Sequence, residues 1–556
     1  MQRGTDAPES SRRTVTVWLA IVVAIAGFVR LWGLGFGLPH TNTRPDETII
    51  IDVALSFLRG NFRPSFFDYP WLYMWVITGL YLLYYVWGAF TGMFHSVADL
   101  VASWRVHWVP FFMIPRALSA IVGTATVLVV FRIARNLWDD TTALVAALFM
   151  GLAFLHVRDS HYGTTDVAMT FLLTLSIAFL IDGYLKGRSR DFVVGGLFGG
   201  LAAATKYNAL LLVVPLTAGY LLNVFEARDH RARAVLDPRP LFYGIPFLMA
   251  FAIGVPFLAF DLPKFRNEMQ LLKESMEIGS RGLELSHGWI HHLEYSLRYG
   301  LGAPLLVAGI AGMFAILARD RRPGVLLLSF PIAYYGVAGS VRNLFFRYAI
   351  PLLPFLCIAA ARLITWTAPT FGNYIALRFN RPQLASSLTR FAVAAVAAVI
   401  ILPSAISTVR FDRILSQTDN RVIVARWFDQ NVPAGSSVLI SGSFYGYVQL
   451  TRDMNYEAWV WDRTRQIFVT DLDRRPVVGR PGWILVQESP LPSETQPLVL
   501  DLLNQDYVFV KHFPAFSPAE PHVFDQQDAF FAPFAGFRGV ERPGPNYSLY
   551  KRIGAS

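Results

Sequence analysis

Long apolar segments recur along the first 408 residues and constrain the fold more than any other feature of the sequence. Most of them are long enough for a helix to cross roughly 30 Å of hydrocarbon, which takes about 20 residues. Charged residues make up only 16% of the chain, whereas a soluble domain usually has roughly 25%. The sequence therefore predicts a multi-pass α-helical membrane protein.

Basic residues occur in short clusters between these apolar segments, and they account for the formal net charge of +10. Examples are Arg12 and Arg13, the cluster 228–233 and the cluster 319–322. Cytoplasmic loops of membrane proteins carry such an excess of Lys and Arg, so we interpret the charge as topological and expect no nucleic-acid partner. The N-terminus and these clusters are predicted to lie on the cytoplasmic side of the cell (plasma or inner) membrane.

Segment 69–90 is apolar and rich in Trp and Tyr, which suits a helix lying in the outer interface. This placement keeps every later basic cluster in the cytoplasm, although a re-entrant segment would serve equally well. The segment then forms part of a first outer loop, 36–115. About eleven transmembrane helices are predicted, at 15–35, 116–135, 141–157, 166–185, 191–205, 207–224, 241–260, 299–318, 324–340, 348–366 and 391–408.

The pattern changes at residue 409 and divides the chain into a transmembrane module, 1–408, and a C-terminal domain, 409–556. Alternating helices and strands in the second part are typical of a small α/β domain. An odd number of spans places that domain outside the cytoplasm. Its predicted helices are 422–431 and 495–504, and its predicted strands are 437–441, 483–487, 507–512 and 547–552.

Acidic residues stand at two boundaries between apolar segments and outer loops. Asp46 and Glu47 follow Arg44 at the start of the first outer loop, and the polar turn 158–166 ends in Asp166. Carboxylates are costly near hydrocarbon and usually serve a function there, such as a general base or a ligand of a divalent cation. The structural alternatives are a helix start at Pro45 that runs to Leu58 and an ion pair within the turn, between Arg158 and Asp159.

Cationic residues are expected near the same outer face, at Lys206, Arg342 and Arg347. Snorkelling to the interface is the ordinary explanation for Lys206, but a lipid phosphate would also require cations at this face. The third outer loop, 261–298, which follows the outer loops 36–115 and 158–166, contains His287, His291 and His292, whose helical spacing suits a metal site, although loop histidines are often simply solvated. The single cysteine, Cys357, excludes intrachain disulfides and a Cys-based metal site.

Six motifs in a fixed order over about residues 15–365 resemble those of one superfamily. The chain resembles the GT-C glycosyltransferases that use polyprenyl-phosphate-linked sugars, particularly the bacterial branch related to protein O-mannosyltransferases and lipid A aminoarabinose transferases. In place of the Lys-Pro-Pro of the aminoarabinose transferases, this chain has Tyr69-Pro70-Trp71. The motifs are Asp46-Glu47, the stretch Tyr69 to Tyr73, Pro115 to Ala120, the turn Arg158 to Asp166, Gly200 to Asn208, and Arg347 to Pro354.

The resemblance implies a reaction and a set of residue roles. Asp46 would be the base that takes a proton from the acceptor hydroxyl as it attacks the sugar C1 in a single inverting displacement, and Glu47 would orient Asp46 or the acceptor. Asp166 would bind the donor or the acceptor, or share a metal with Asp46 where a divalent cation is used. Lys206 and Arg347 would hold the donor phosphate. Further expected substrate-binding residues are Arg158, His161, Tyr207 and Tyr69.

The implied partners are a polyprenyl-phosphate-linked sugar, membrane lipid, and an acceptor that is a protein, a lipid or a glycan. Two other functions are compatible with intramembrane charges. A transporter or flippase of a lipid-linked sugar would more often show two repeated halves, and no such repeat is evident. A non-catalytic membrane scaffold would use Asp46 and Glu47 only as a helix start.

Overall fold

A computed structural model of the protein describes residues 9–41, 43–63, 66–227, 230–279, 285–450, 456–462, 464–488, 491, 495–517, 520–528 and 530–554. Asn42 and Arg228, which belong to segments discussed above, lie outside the described residues. The chain divides into two compact units. A helical unit comprises 1–31, 50–104 and 114–409, and a sheet unit comprises 32–49, 105–113 and 410–556.

The α-helices are bounded as follows. The first eleven are α1 (Glu9–Leu31), α2 (Pro45–Leu58), α3 (Leu72–Phe90), α4 (Val97–Ser103), α5 (Val109–Leu137), α6 (Asp140–Leu152), α7 (Phe154–Asp159), α8 (Thr165–Lys186), α9 (Ser189–Thr205), α10 (Val213–Glu226) and α11 (Arg231–Val235). The next ten are α12 (Arg239–Gly254), α13 (Leu262–Ile278), α14 (Gly288–His291), α15 (Arg298–Leu301), α16 (Ala303–Arg319), α17 (Arg321–Ser340), α18 (Leu353–Arg378), α19 (Ala385–Leu415), α20 (Asn420–Asn431) and α21 (Pro497–Asp506). Helical turns of other types cover Tyr207–Leu212, Leu258–Phe260, His292–Leu297, Phe346–Leu352, Pro382–Leu384 and Phe444–Gly446.

Eight helical segments in the described part of the chain are long and apolar enough to cross a membrane, or nine if the bent pair Gly288–Leu301 and Ala303–Arg319 is one broken span. The multi-pass architecture is thereby confirmed, but the expected count of about eleven is corrected. Three of the expected spans correspond to α6, α9 and α12, with 13, 17 and 16 residues, which is shorter than the roughly 20 residues of a full span. Helix α3, expected to lie in the interface, meets the length and apolarity requirements of a span.

Small residues bring α9 and α12 into close contact, the packing mode typical of membrane helices. Gly196 and Gly200 of α9 lie directly against the backbone of Tyr243 and Phe247, where a Cβ on either glycine would overlap a carbonyl oxygen. Helix α9 also packs along α8. These contacts fix the end of α9, from which Lys206 extends.

The strands of the sheet unit are β1 (Ser437–Ile440), β2 (Glu457–Asp462), β3 (Ile467–Thr470), β4 (Trp483–Glu488), β5 (Tyr507–Phe513) and β6 (Asn546–Arg552). They form a six-stranded sheet with the order β3-β2-β1-β4-β6-β5. Strand β1 pairs in parallel with β2 and β4, and the other pairs are antiparallel. Helix α20 packs on the sheet through Val424 and Phe428, which share a buried apolar core with Val438, Leu485 and Leu549.

The structure confirms a small C-terminal domain of helices and strands. Both predicted helices and all four predicted strands are present, within a few residues of the expected bounds. Strands β2 and β3 were not expected from the sequence. They form one edge of the sheet as an antiparallel pair, from Trp459 opposite Thr470 to Asp462 opposite Ile467.

Candidate functional site

The acidic pair of the first outer loop lies in the first turn of α2. The predicted helix from Pro45 to Leu58 is confirmed, and its start is favoured because Pro suits the first helical position and carboxylates suit the positive end of the helix dipole. Glu47 is buried. The side chain of Asp46 keeps 21% of its surface exposed, so this carboxylate serves the helix start and is still accessible from outside.

Arg44 connects Asp46 to the C-terminal part of the sheet unit. Its guanidinium is 1% exposed and makes a 2.7 Å ion pair from Nη1 to Oδ1 of Asp528. The same nitrogen donates to the backbone oxygen of Asp528 at 3.2 Å, and Nη2 lies 3.9 Å from Oδ2 of Asp46. Sequence reasoning missed Asp528, which is 484 residues from Arg44 and belongs to no motif that would have marked it.

The segment that precedes Asp46 is held by further hydrogen bonds within the sheet unit. Nε2 of His40 lies 2.6 Å from the backbone oxygen of Tyr447, and the backbone N–H of Thr41 donates to Oε1 of Gln449 at 3.1 Å. Burial and, to a lesser degree, the negative charge of Asp46 raise the pKa of Tyr445. The phenol of Tyr445 is therefore protonated at neutral pH.

The helical unit brings two other predicted site residues together. Asp166 lies in the first turn of α8, and Lys206 directly follows the end of α9. Nζ of Lys206 is 2.5 Å from Oδ1 of Asp166, and the two side chains are 12% and 4% exposed. Nζ of Lys206 also lies 5.3 Å from the centre of the Tyr348 ring. The turn Phe346–Leu352, in which Tyr348 follows Arg347, therefore lies beside the Lys206–Asp166 pair.

Arg347 is buried within the turn Phe346–Leu352. Arg347 is 5% exposed, and its guanidinium carbon lies 4.4 Å from the centre of the Phe345 ring. The hydroxyl of Tyr334 donates to the backbone oxygen of Tyr348 at 3.0 Å. Arg342 contacts a different element: its backbone N–H donates to the carbonyl of Met276 in α13.

Two tyrosines that were predicted to contact substrate, Tyr207 and Tyr69, also lie in the helical unit. The ring of Tyr207 meets the ring of Phe265 edge-to-face at 6.0 Å, and its buried hydroxyl makes no hydrogen bond to any described residue. Tyr69 is half-buried, with its ring 6.3 Å from that of Phe66. Both tyrosines belong to the helical unit and stay predicted substrate contacts.

The turn 158–166 contains an ion pair between two of its own residues. Nη1 of Arg158 lies 3.1 Å from Oδ2 of Asp159, and both side chains are buried. The guanidinium of Arg158 also faces the ring of Tyr162 at 5.4 Å. His161 is buried, with Nδ1 2.9 Å from the backbone oxygen of Val157. The ion-pair alternative therefore describes Arg158 and Asp159, and a substrate contact by Arg158 or His161 stays a prediction.

The histidines of the third outer loop lie among aromatic rings. The rings of His291 and Tyr295 are stacked at 5.0 Å, and Nδ1 of His292 is 2.9 Å from the hydroxyl of Ser296. His287 is exposed. Within the described ranges, no group of three or more His, Cys, Asp or Glu side chains could hold a metal ion. Asp46 and Asp166 belong to different units, so a cation shared between them stays a prediction.

The fold is similar to that of solved structures of GT-C glycosyltransferases. The ArnT protein of Cupriavidus metallidurans in the apo state matches with a TM-score of 0.51 at 15% identity, over 98% of this chain and 100% of that one. The archaeal oligosaccharyltransferase AglB of Archaeoglobus fulgidus, in complex with an inhibitory peptide and a dolichol-phosphate, matches with a TM-score of 0.51 at 12% identity, over 86% of this chain and 70% of that one.

Residues 114–259 match the family model of dolichyl-phosphate-mannose-protein mannosyltransferases, which confirms the resemblance to this branch for that segment. The segment includes Asp166 and Lys206. Against the apo form of the Archaeoglobus fulgidus oligosaccharyltransferase, the chain covers 62% of that protein's length, with a TM-score of 0.47 at 13% identity. None of the curated proteins matches the sequence significantly.

Proposed function

We propose that this protein is a glycosyltransferase that moves a sugar from a polyprenyl-phosphate donor to an acceptor hydroxyl at the outer face of the cell membrane. The observation that carries the proposal is the buried ion pair of Lys206 with Asp166, beside the turn that contains Arg347, in a helical unit of the GT-C fold. Cations at the ends of apolar helices suit a phosphate whose hydrocarbon tail lies in lipid.

The kind of donor is supported by two further observations. The segment that contains Lys206 matches a family named for a dolichyl-phosphate-linked sugar, and the AglB structure of similar fold holds a dolichol-phosphate. Water-soluble nucleotide sugars are not available outside the cytoplasm, where we place the site. A lipid-anchored sugar phosphate therefore fits both the proposed location and the chemistry of the residues.

The proposed reaction is a single displacement at the sugar C1. The carboxylate of Asp46 takes the proton of the acceptor hydroxyl while the oxygen forms a bond to C1. The bond from C1 to the phosphate oxygen breaks, and its electron pair leaves with the polyprenyl phosphate. Lys206 and Arg347 stabilise the negative charge that develops on that phosphate.

The surroundings of Asp46 suit the role of a base. Its carboxylate is accessible, and the guanidinium of Arg44 at 3.9 Å attracts its negative charge without forming a close ion pair. Glu47, the next residue in the first turn of α2, is buried. We assign Glu47 the role of orienting Asp46 or the acceptor.

The test uses the purified protein in lipid nanodiscs, with polyprenyl-phosphate sugars labelled in the sugar and a membrane extract as the source of acceptor. We expect label to leave the lipid and to appear in a protein, lipid or glycan fraction, which also identifies the class of acceptor. In sealed vesicles, label that crosses the bilayer while still attached to the lipid would support a transporter. Absence of transfer from every donor would overturn the proposed function.

A further inference from the structure

We infer that Asp528 of the C-terminal domain is a positioning residue for Asp46, acting through Arg44, so that this domain completes the proposed acidic site. The inference rests on the proposed function, because it assigns a role toward the base of that reaction. It concerns only residues of the sheet unit, to which Arg44, Asp46 and Asp528 all belong.

Arg44 and Asp528 form a buried ion pair. Both side chains are 1% exposed, and their ion pair is 2.7 Å long. A second hydrogen bond, from Nη1 of Arg44 to the backbone oxygen of Asp528, fixes the position of the guanidinium as well as its charge. A buried charge without a partner is costly, so each of these residues depends on the other for its position.

The rest of the segment is fixed by the same domain. His40 contacts the backbone of Tyr447 at 2.6 Å, and Thr41 forms two hydrogen bonds with the side chain of Gln449. Residues 444–450, between β1 and β2, therefore fix the segment a few residues before Asp46, and Asp528 fixes it at Arg44. Restraint at several points is what precise placement of a catalytic group requires.

The ion pair of Arg44 and Asp528 also affects how strong a base Asp46 is. Among the described residues of the sheet unit, the titratable and charged groups near Asp46 include Arg44, Glu47 and Tyr445, and Asp528 is paired with Arg44. Arg44 is nearer to Asp528, at 2.7 Å, than to Asp46, at 3.9 Å. Asp528 therefore offsets most of the positive charge of Arg44 and leaves Asp46 a stronger base. Removing the charge of Asp528 exposes Asp46 to the whole field of Arg44.

The experiment compares Asp528→Asn with wild type in the transfer assay across a range of pH. Asp473→Asn is the matched control, because Asp473 is an exposed carboxylate of the same domain, paired with Arg475. For Asp528→Asn we expect a roughly tenfold lower kcat at neutral pH with an unchanged KM for the donor. The acid limb of the pH profile should move down by about one pH unit, since an uncompensated Arg lowers the pKa of a neighbouring carboxyl group by that amount or more.

A double-mutant cycle tests whether Asp528 acts through Arg44. The variants Asp528→Asn, Arg44→Gln and their combination should be strongly non-additive in the logarithm of kcat, because residues of one ion-pair network are coupled. Additive effects would overturn the inference, as would an acid limb in Asp528→Asn that stays at the wild-type pH. If Asp528→Asn does not yield folded protein, Asp528→Glu replaces it. The longer carboxylate should lower kcat and keep the acid limb in place, and a downward shift of that limb would overturn the inference.

Failure of the inference is distinguishable from failure of the proposed function. An active wild type whose pH profile is shared by Asp528→Asn removes the role of Asp528 and leaves the transferase intact. A wild type that transfers no sugar removes the proposed function itself, and the inference then falls with it.

Discussion

Lys206 and Asp166 form a buried ion pair at the ends of two apolar helices, with Nζ 2.5 Å from Oδ1. Each residue was singled out from the sequence for a role in substrate binding, but their pairing was not expected, because 40 residues separate them. Asp166 therefore supplies the negative charge that Lys206 requires. A donor phosphate would compete with Asp166 for the same ammonium group.

Lys206→Met should destabilise the protein, because it leaves the carboxylate of Asp166 buried without its partner. We expect a loss of about 3–5 kcal/mol in the free energy of unfolding, the usual cost of removing one member of a buried pair. Denaturant unfolding in detergent measures it. The control is Lys273→Met, whose pair with Glu277 is exposed and whose effect should stay within about 0.5 kcal/mol. Equal effects of the two variants would contradict a stabilising role of the pair.

Arg347→Gln should weaken donor binding. A hydrogen bond to a charged group contributes about 1.5–3 kcal/mol, so we expect KM for the polyprenyl-phosphate sugar to rise at least about tenfold. The matched control is Arg266→Gln, since Arg266 is an exposed residue of α13. Steady-state kinetics with varied donor concentration measure both. An unchanged KM in Arg347→Gln would remove this residue from the proposed phosphate site.

Asp68→Asn should stabilise the protein at neutral pH. Partial desolvation, and then the negative charge of Glu268, raises the pKa of Asp68, so folding favours its protonated form. That stabilising contribution is complete below the unfolded pKa of about 4 and is lost as pH rises through the higher folded pKa. The amide mimics the protonated carboxyl. The melting temperature of Asp68→Asn should therefore exceed that of wild type at about pH 8 and approach it near about pH 3.5.

The control for this pH dependence is Glu277→Gln, because Glu277 is an exposed residue of α13. Its melting temperature should follow that of wild type at both pH values. A melting temperature of Asp68→Asn below that of wild type at neutral pH would show that the ionised carboxylate of Asp68 stabilises the fold, contrary to the expected sign.

Much of the architecture could be predicted because it depends on local sequence. Hydrophobic length identified most of the helices, and the alternation of helices and strands after residue 409 identified the small domain. Length failed for α6, α9 and α12, which are shorter than a full span. Strand β2 was missed because charged residues, Glu457 and Asp462, begin and end its six residues.

The candidate site was predicted less completely, because pairing between distant residues leaves no local signal. The sequence pointed to Asp46, Asp166, Lys206 and Arg347 individually, since charges beside apolar segments are unusual. It did not reveal which of them share a contact. Asp528 lies in a polar stretch, 525–528, that resembles any surface loop, and only the fold places it against Arg44.

The proposed topology predicts which surfaces a membrane-impermeant thiol reagent can reach in intact cells. Cys357 is the only cysteine and is buried, so Cys357→Ser provides a cysteine-free background. A cysteine introduced by Arg233→Cys should be protected, and one introduced by Asp473→Cys should be labelled, since both positions are exposed on the protein. Labelling after membrane permeabilisation is the control. Labelling at residue 233 in intact cells would overturn the assignment of basic loops to the cytoplasm.

The transfer rate of Asp46→Asn tests the central claim most directly. With labelled polyprenyl-phosphate sugar and membrane extract, we expect kcat to fall by about 10²–10⁴-fold, because the amide cannot accept the proton of the acceptor hydroxyl. Donor binding should stay close to that of wild type, and Glu277→Gln should transfer sugar at the wild-type rate. Full transfer by Asp46→Asn would contradict the assignment of Asp46 as the catalytic base.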